Sequence, residues 1–316
     1  MSDIQQQIQE HAKKLLSDKT VDLFIGYKDI NEPMLTEPAF IRDAKDADQL
    51  IWNPFCEHNL AKYLVGRNEK IAIVAKTNDV RSIVVLINEQ QVIRENLTII
   101  GVNCDDVIDR KKVEAEMDGK DITSAQIKDD KLIVKAEKIS KTLKIKNYLH
   151  DSCLDNKRDM SEICDIIIGE KSSCKTEEDK YAKIRELEQK TPEERWEYFK
   201  KELSKCIRCY ACRNACPLCY CKSCFVDQKF PNWVGQTTDL SDTMCFHIMR
   251  ALHTAGRCVD CGACVRACPN GIDLRMLTGK IEKDVKELFG AEAGLNPETD
   301  NPMTSYKEDD PEDFIK

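Results

Sequence analysis

A doubled cysteine motif constrains this chain more than any other feature. Cys206, Cys209, Cys212 and Cys216 precede Pro217, and Cys258, Cys261, Cys264 and Cys268 precede Pro269, so C-x2-C-x2-C-x3-C-P occurs twice. Such a run cannot be an ordinary strand or long helix, because three side chains must converge on one point while the fourth, before proline, turns away. Three thiolates at that spacing reach three irons of one compact cube, and the fourth cysteine reaches the neighbouring cluster. Structural zinc also takes paired C-x2-C ligands in a closed four-thiolate shell. It has no use for a third cysteine at the same spacing and a fourth before proline, twice over. Two [4Fe-4S] clusters are expected, one on Cys206, Cys209, Cys212 and Cys268, the other on Cys258, Cys261, Cys264 and Cys216.

The chain has 17 cysteines in 316 residues. Its first twenty residues are polar and amphipathic, without an apolar secretory core, so a cytoplasmic location is expected and disulfides are not. Thiols outside the two motifs then read as further ligands or as small apolar core residues. Cys219, Cys221 and Cys224 form a C-x-C-x2-C triplet and, with Cys245, a candidate site for an extra cluster or zinc. Cys56, Cys104 and Cys153 fall in loops and are candidates for a further cluster, with Cys164 or a non-thiol group as fourth ligand. Cys174 is expected to be inert. His247 and His253, six residues apart before the second motif, suit no single-helix metal pair and are expected in the core or facing a cluster.

The first 170 residues read as an α/β domain with a mixed or parallel sheet. Val21–Tyr27, Lys70–Lys76, Leu97–Val102 and Ile163–Gly169 are short apolar runs with strand character, and Asn78-Asp79 caps a helix between the second and third. Strand, helix and strand in that order make a βαβ unit. Lys131–Tyr148 reads as an antiparallel pair turning near Ala136–Ser140. The end of the strand at Lys76, with Asn78, Asp79 and Arg81, is where such sheets bind ligands, and it is a candidate flavin or docking face. Residues 171–205 read as a charged helical connector, whose second helix has Thr191 as N-cap, Pro192 at its first position and Glu194 closing a capping box. Residues 206–280 are the α+β or helical cluster module, and 281–316 the end of a helix and an acidic tail.

Charge is uneven along the chain. The net charge is −8, yet 201–280 holds eleven Lys or Arg against six Asp or Glu, a formal +5, so the remainder carries −13. An acidic chain does not suit nucleic acid, whereas a locally basic shell suits buried anionic clusters. No apolar run approaches the roughly 20 residues that cross a bilayer.

These residues bring a resemblance. CIRCYACRNACPLCYCKSC and HTAGRCVDCGACVRACPNGIDLR resemble the bacterial ferredoxin-type 2[4Fe-4S] part of β-type subunits of anaerobic formate dehydrogenases and of heterodisulfide-reductase-associated electron-transfer proteins. IAIVAKTNDVRSIVVLINEQQVIRENLTIIGVNCDD is similar to the N-terminal domain of β subunits of deazaflavin coenzyme-reducing hydrogenases and formate dehydrogenases, and SCLDNKRDMSEICDIIIGE echoes a later stretch of them. The chain departs from that pattern in two places. The cluster module follows the β-like domain instead of preceding it, and Asn156 stands where the family has a second cysteine. The resemblance implies an iron–sulfur electron-transfer subunit working with catalytic or flavin-containing redox subunits and soluble electron carriers. Two other readings are a flavin-containing reductase subunit acting on a hydride-carrying coenzyme, and a cluster-based redox sensor. No G-x-G-x-x-G occurs to support a dinucleotide site.

Overall fold

A computed structural model describes residues 3–103, 106–155, 162–169, 179–308 and 310–311, with backbone alone at 154 and 155. The chain forms two compact units, one made of 1–60, 66–80 and 93–176, the other of 61–65, 81–92 and 177–316. Among the described residues no helix is long and apolar enough to cross a membrane.

The first unit opens with α1 (Asp3–Ser17), whose Ile8, Ala12 and Leu16 recur every fourth residue and are buried. Five strands and a second helix follow: β1 (Leu23–Asp29), β2 (Thr36–Ile41), β3 (Leu50–Ile51), β4 (Ile71–Ala75), α2 (Thr77–Asn88) and β5 (Leu97–Val102). Beyond them come α3 (Arg110–Glu116), β6 (Ser124–Lys128), β7 (Lys131–Ala136), β8 (Ile139–Lys144) and β9 (Ile166–Ile168). The main sheet is mixed, in the order β2-β1-β4-β5-β9, with β3 also paired to β1. Strands β1, β4, β5 and β9 run parallel, and β2 and β3 lie antiparallel to β1.

Every residue of Ile71–Ala75 is buried, which is why β4 reads as a continuous apolar run instead of an alternation. The βαβ unit read from the sequence is β4-α2-β5. In β5, a Cβ on Gly101 would lie 2.6 Å from Cys164 Sγ, so the glycine makes room for that thiol. Strands β6, β7 and β8 form a separate antiparallel sheet containing the expected pair and one strand more. It buries Leu132, Val134, Ala136 and Leu143 against Ile108, Val113 and Met117.

The second unit is helical: α4 (Ala182–Glu188), α5 (Pro192–Leu203), α6 (Ala211–Ala215), α7 (Leu240–Leu252), α8 (Ala263–Arg266) and α9 (Arg275–Phe289). Helix α5 starts as its sequence dictates. Thr191 Oγ1 accepts from the Glu194 N–H at 3.2 Å, and the Glu194 carboxylate accepts from the Thr191 N–H at 2.8 Å. Its last residue, Leu203, is buried with Cys212, Val226, Met244, Phe246, Cys268, Ile272 and Leu274, the core on which the first cysteine loop is laid. Helix α7 buries Thr243, Phe246, His247 and Arg250 on one face, a helical repeat that includes two nitrogen-rich side chains.

Candidate functional site

Each cysteine motif is a short loop closed by one helical turn. In the first, Arg208 and Tyr210 take the left-handed conformation at φ 55° and 59°, and Tyr210 caps α6. In the second, Asp260 and Gly262 occupy the equivalent positions at φ 53° and 70°, and Gly262 caps α8. Left-handed residues curl the backbone so that its N–H groups point inward. Thus the Arg208 N–H donates to Cys206 Sγ at 3.4 Å, and the Asp260 N–H donates to Cys258 Sγ. The helical turns then close on their own carbonyls, Cys216 N–H to Arg213 at 3.3 Å and Cys268 N–H to Val265 at 3.1 Å.

The thiols line two cavities. One, of about 330 Å³ and partly open to solvent, is bounded by Cys206, Cys209, Cys212 and Cys268, with Phe246, His247 and Ile272. The other, of about 420 Å³ and also partly open, is bounded by Cys216, Cys258, Cys261 and Cys264, with Arg250, Asp260 and Thr278. Each quartet takes three cysteines from one motif and the fourth from the other. Among the described residues no three His, Cys, Asp or Glu side chains come together as a single ion requires. A cubane, with its irons at separate corners, holds its thiolates farther apart than one tetrahedral ion does.

Burial governs the protonation of these thiols. It raises Cys206 and Cys212, raises Cys258 well above the ordinary thiol value, and pushes Cys261 and Cys264 up to about 11. Cys216 differs. A hydrogen bond from Cys219, helped by the charges of Arg250 and Lys62, holds it low, at about 5, and the same bond raises Cys219. The cavities are therefore lined mainly by neutral thiols until a cation displaces their protons.

The surroundings are prepared for negative charge. Arg208 Nε and Arg250 Nε are buried donors with no partner among the described residues. Buried polar groups are normally paired, so these two await an acceptor. His247 Nε2 lies 3.3 Å from Cys206 Sγ, and burial, with the nearby Arg250 and Arg208, lowers its imidazole to about 4, so it is neutral at ordinary pH. All-thiol donor sets, with two buried guanidinium groups whose Nε atoms lack partners among the described residues, fit anionic iron–sulfur clusters. Sequence reasoning placed His247 as a core or cluster-facing residue but passed over Arg208, Arg250 and Asp260. The signal for them was a charged residue two after the first cysteine of each motif, and an arginine three after His247 on one helix.

The remaining candidates are dispersed. Cys219 adjoins Cys216, Cys224 packs beside the Leu203 core, and Cys221 and Cys245 are exposed. His253 is exposed and sets its ring edge against Phe225, 5.0 Å between centroids. In the first unit, Cys56 is buried, its thiol pushed up to about 11 by desolvation, with Asn53 as its neighbour. Cys153 Sγ accepts from the Val107 N–H at 3.4 Å, and Cys164 fills the space over Gly101. Cys104, Asn156, Cys174 and 312–316 of the acidic tail lie outside the described residues.

Lys76, Asn78, Asp79 and Arg81, expected at a flavin or docking face, are all buried. Lys76 Nζ is 3.0 Å from the Asp79 carboxylate and donates to Tyr27 Oη and the His58 carbonyl. Arg81 donates to the carbonyls of Val259 at 3.2 Å and Ala293 at 2.9 Å. A lysine and an arginine at a strand end are drawn inward here because each finds carbonyl or carboxylate partners that replace water.

Residues 253–272, which hold the whole second motif, match the family model of the 4Fe-4S binding domain. The chain is 24% identical over 350 aligned positions to the F420-dependent formate dehydrogenase subunit beta of Methanocaldococcus jannaschii, covering 90% of each. It is also 24% identical to the F420-dependent formate dehydrogenase 1 subunit beta of Methanococcus maripaludis, over 90% of this chain and 89% of that one. A chain of the F420-reducing [NiFe] hydrogenase complex from Methanosarcina barkeri aligns at 14% identity over 51% of this chain and 64% of its own, with a TM-score of 0.35, too low to define a shared fold. The chain is thus similar along nine-tenths of its length to formate dehydrogenase beta subunits, with its second cysteine motif inside a 4Fe-4S binding domain.

Proposed function

We propose that this chain is the iron–sulfur electron-transfer subunit of a multi-subunit oxidoreductase of the formate dehydrogenase type. Cys206, Cys209, Cys212 and Cys268 would hold one [4Fe-4S] cluster, and Cys216, Cys258, Cys261 and Cys264 the other. When bound, such a cluster takes up and releases single electrons. The observation behind this reading is the crossed pair of cavities, since each collects three thiols of one motif and a fourth from the other motif, distant in sequence. The protein's own groups do the rest. Arg208 and Asp260 turn backbone N–H groups onto Cys206 and Cys258, which disperses charge on the sulfurs. Phe246, Ile272 and Leu274 exclude water from one side of the first cavity. The exposed thiol Cys209 and its exposed neighbour Ile207 mark where that cavity meets the surface, close enough for exchange with a partner subunit or a soluble carrier. Anaerobically purified protein is expected to contain two cubanes' worth of iron and acid-labile sulfide, and to co-purify with a catalytic redox subunit. Half that iron, or zinc in its place, would defeat the reading.

A further inference from the structure

We infer that Arg250 is a counter-ion shared by the two clusters, raising the reduction potential of both; this rests on the reading of the two cysteine cavities given above. Arg250 projects from the buried face of α7 and is only 5% exposed. It lines the cavity of Cys216, Cys258, Cys261 and Cys264. Its Nη2 donates at 3.2 Å to the carbonyl of Cys212, a member of the other quartet. Its Nε is buried without a partner among the described residues. Its charge acts on thiols of both sets, Cys216 and Cys264 on one side and Cys212 on the other.

No carboxylate pairs with Arg250 among the described ion pairs, in contrast to Arg257 with Glu89 and Arg275 with Asp260. A guanidinium this deeply buried needs compensating negative charge, and facing it are cysteines of both quartets, with Cys219 beside Cys216 and Asp260 on the same cavity. Each thiolate-ligated cluster gains a further negative charge on reduction. A fixed cation beside both therefore favours the reduced form of each, and keeps the second cluster reducible once the first has taken an electron. His247, one turn earlier on the same helix, meets Cys206 and lines the first cavity, so it lacks this reach.

The test is the midpoint potential of each cluster, followed by EPR in anaerobic titrations of the intact protein and of Arg250→Gln and Arg250→Lys. Arg250→Gln is expected to lower both midpoints, each by at least a tenfold change in the one-electron equilibrium, about 59 mV. Arg250→Lys keeps the charge and is expected to stay within a few-fold of the native values. Unchanged midpoints in a cluster-loaded Arg250→Gln protein would overturn the inference, and so would movement of one cluster alone. If Arg250→Gln fails to assemble, Arg250→Lys decides: native midpoints with full iron support a charge role, and shifted midpoints or lost iron refute it. Native protein lacking two cubanes would refute the reading of the cavities themselves, a result separable from unchanged midpoints in a loaded variant.

Discussion

The loops Cys206–Tyr210 and Cys258–Gly262 have the same cysteine spacing and the same pair of left-handed residues, yet opposite charges at the equivalent position. Arg208 and Asp260 each follow the first cysteine by two, with φ 55° and 53°, and each is nearly buried at 6% and 5% exposure. Arg208 donates to the carbonyls of Asp242 at 2.7 Å and Gly235 at 3.0 Å and lies 5.0 Å from the centre of the Phe246 ring. Asp260 instead binds Arg275 through both oxygens, at 2.6 and 2.5 Å. Glu282, buried and raised by desolvation and by Asp260, adds acidic character near Cys258. The motif therefore dictates where the backbone goes and leaves the electrostatics free. With clusters in both cavities, an added electron would be favoured in the first, beside Arg208 and neutral His247, to the extent that Asp260 and Glu282 are not offset by their partners Arg275 and Lys180.

The largest test breaks the comparison at its base, by asking whether the quartets really cross. A Cys206→Ala, Cys268→Ala double variant removes two ligands of one cavity if they cross and one ligand from each cavity if they do not. Retention of about half the native iron and sulfide, with one remaining EPR signal, is the expected result. Loss of both signals would show that each motif holds its own cluster. Cys216→Ala with Cys258→Ala should behave in the same way for the other cavity.

A smaller effect sharpens the charge contrast. Arg208→Gln should lower the potential of the cluster in the first cavity, and Asp260→Asn should raise that of the second, each by about tenfold in the one-electron equilibrium, or about 59 mV. The two native midpoints then differ with the first cavity higher. Finding the second cavity higher, or both substitutions moving the potentials in one direction, would mean that Arg208 and Asp260 are screened by their partners and that other groups set the order.

Much of this arrangement was legible in the chain. The strand runs at 71–75 and 97–102, the hairpin at 131–144 and the capping box at Thr191 are local signals: apolar continuity, a turn between β-branched runs, and three residues of matched chemistry. The cysteine motif is local too, so the expectation of two crossed quartets follows from spacing alone. What stayed hidden depends on partners far along the chain. Lys76 and Arg81 look like a polar face until Tyr27, His58, Val259 and Ala293 are found to receive them. Strand β2 holds Pro38 at its centre and β6 has only Ala125 and Ile127 as apolar residues, so pairing with β1 and β7 defines them. Arg250 offers only a weak local signal, its place one turn after His247 on one helix, because its environment is built from two loops that flank it in sequence on either side.

The smallest effect concerns the other pair of equivalent positions, Tyr210 and Gly262. Both are left-handed, at φ 59° and 70°. Glycine enters that region freely, whereas a residue with a Cβ pays roughly 1 kcal/mol or somewhat more. Gly262→Ala is therefore expected to lower stability by about 1 kcal/mol, seen as a thermal midpoint about 2–4 °C lower. Tyr210 already bears that strain, and its ring offsets it by meeting the Phe246 ring edge-on, with centroids 5.3 Å apart, a contact worth about 0.5–1.5 kcal/mol. Tyr210→Gly relieves the backbone and loses the ring, so its net effect on the midpoint should be destabilising or close to zero, never a gain of the size that Gly262→Ala loses. A clear stabilisation by Tyr210→Gly would show that the aromatic contact contributes nothing, and that the first loop tolerates its tyrosine for a reason outside packing, such as excluding water from the cavity that Tyr210 helps to line.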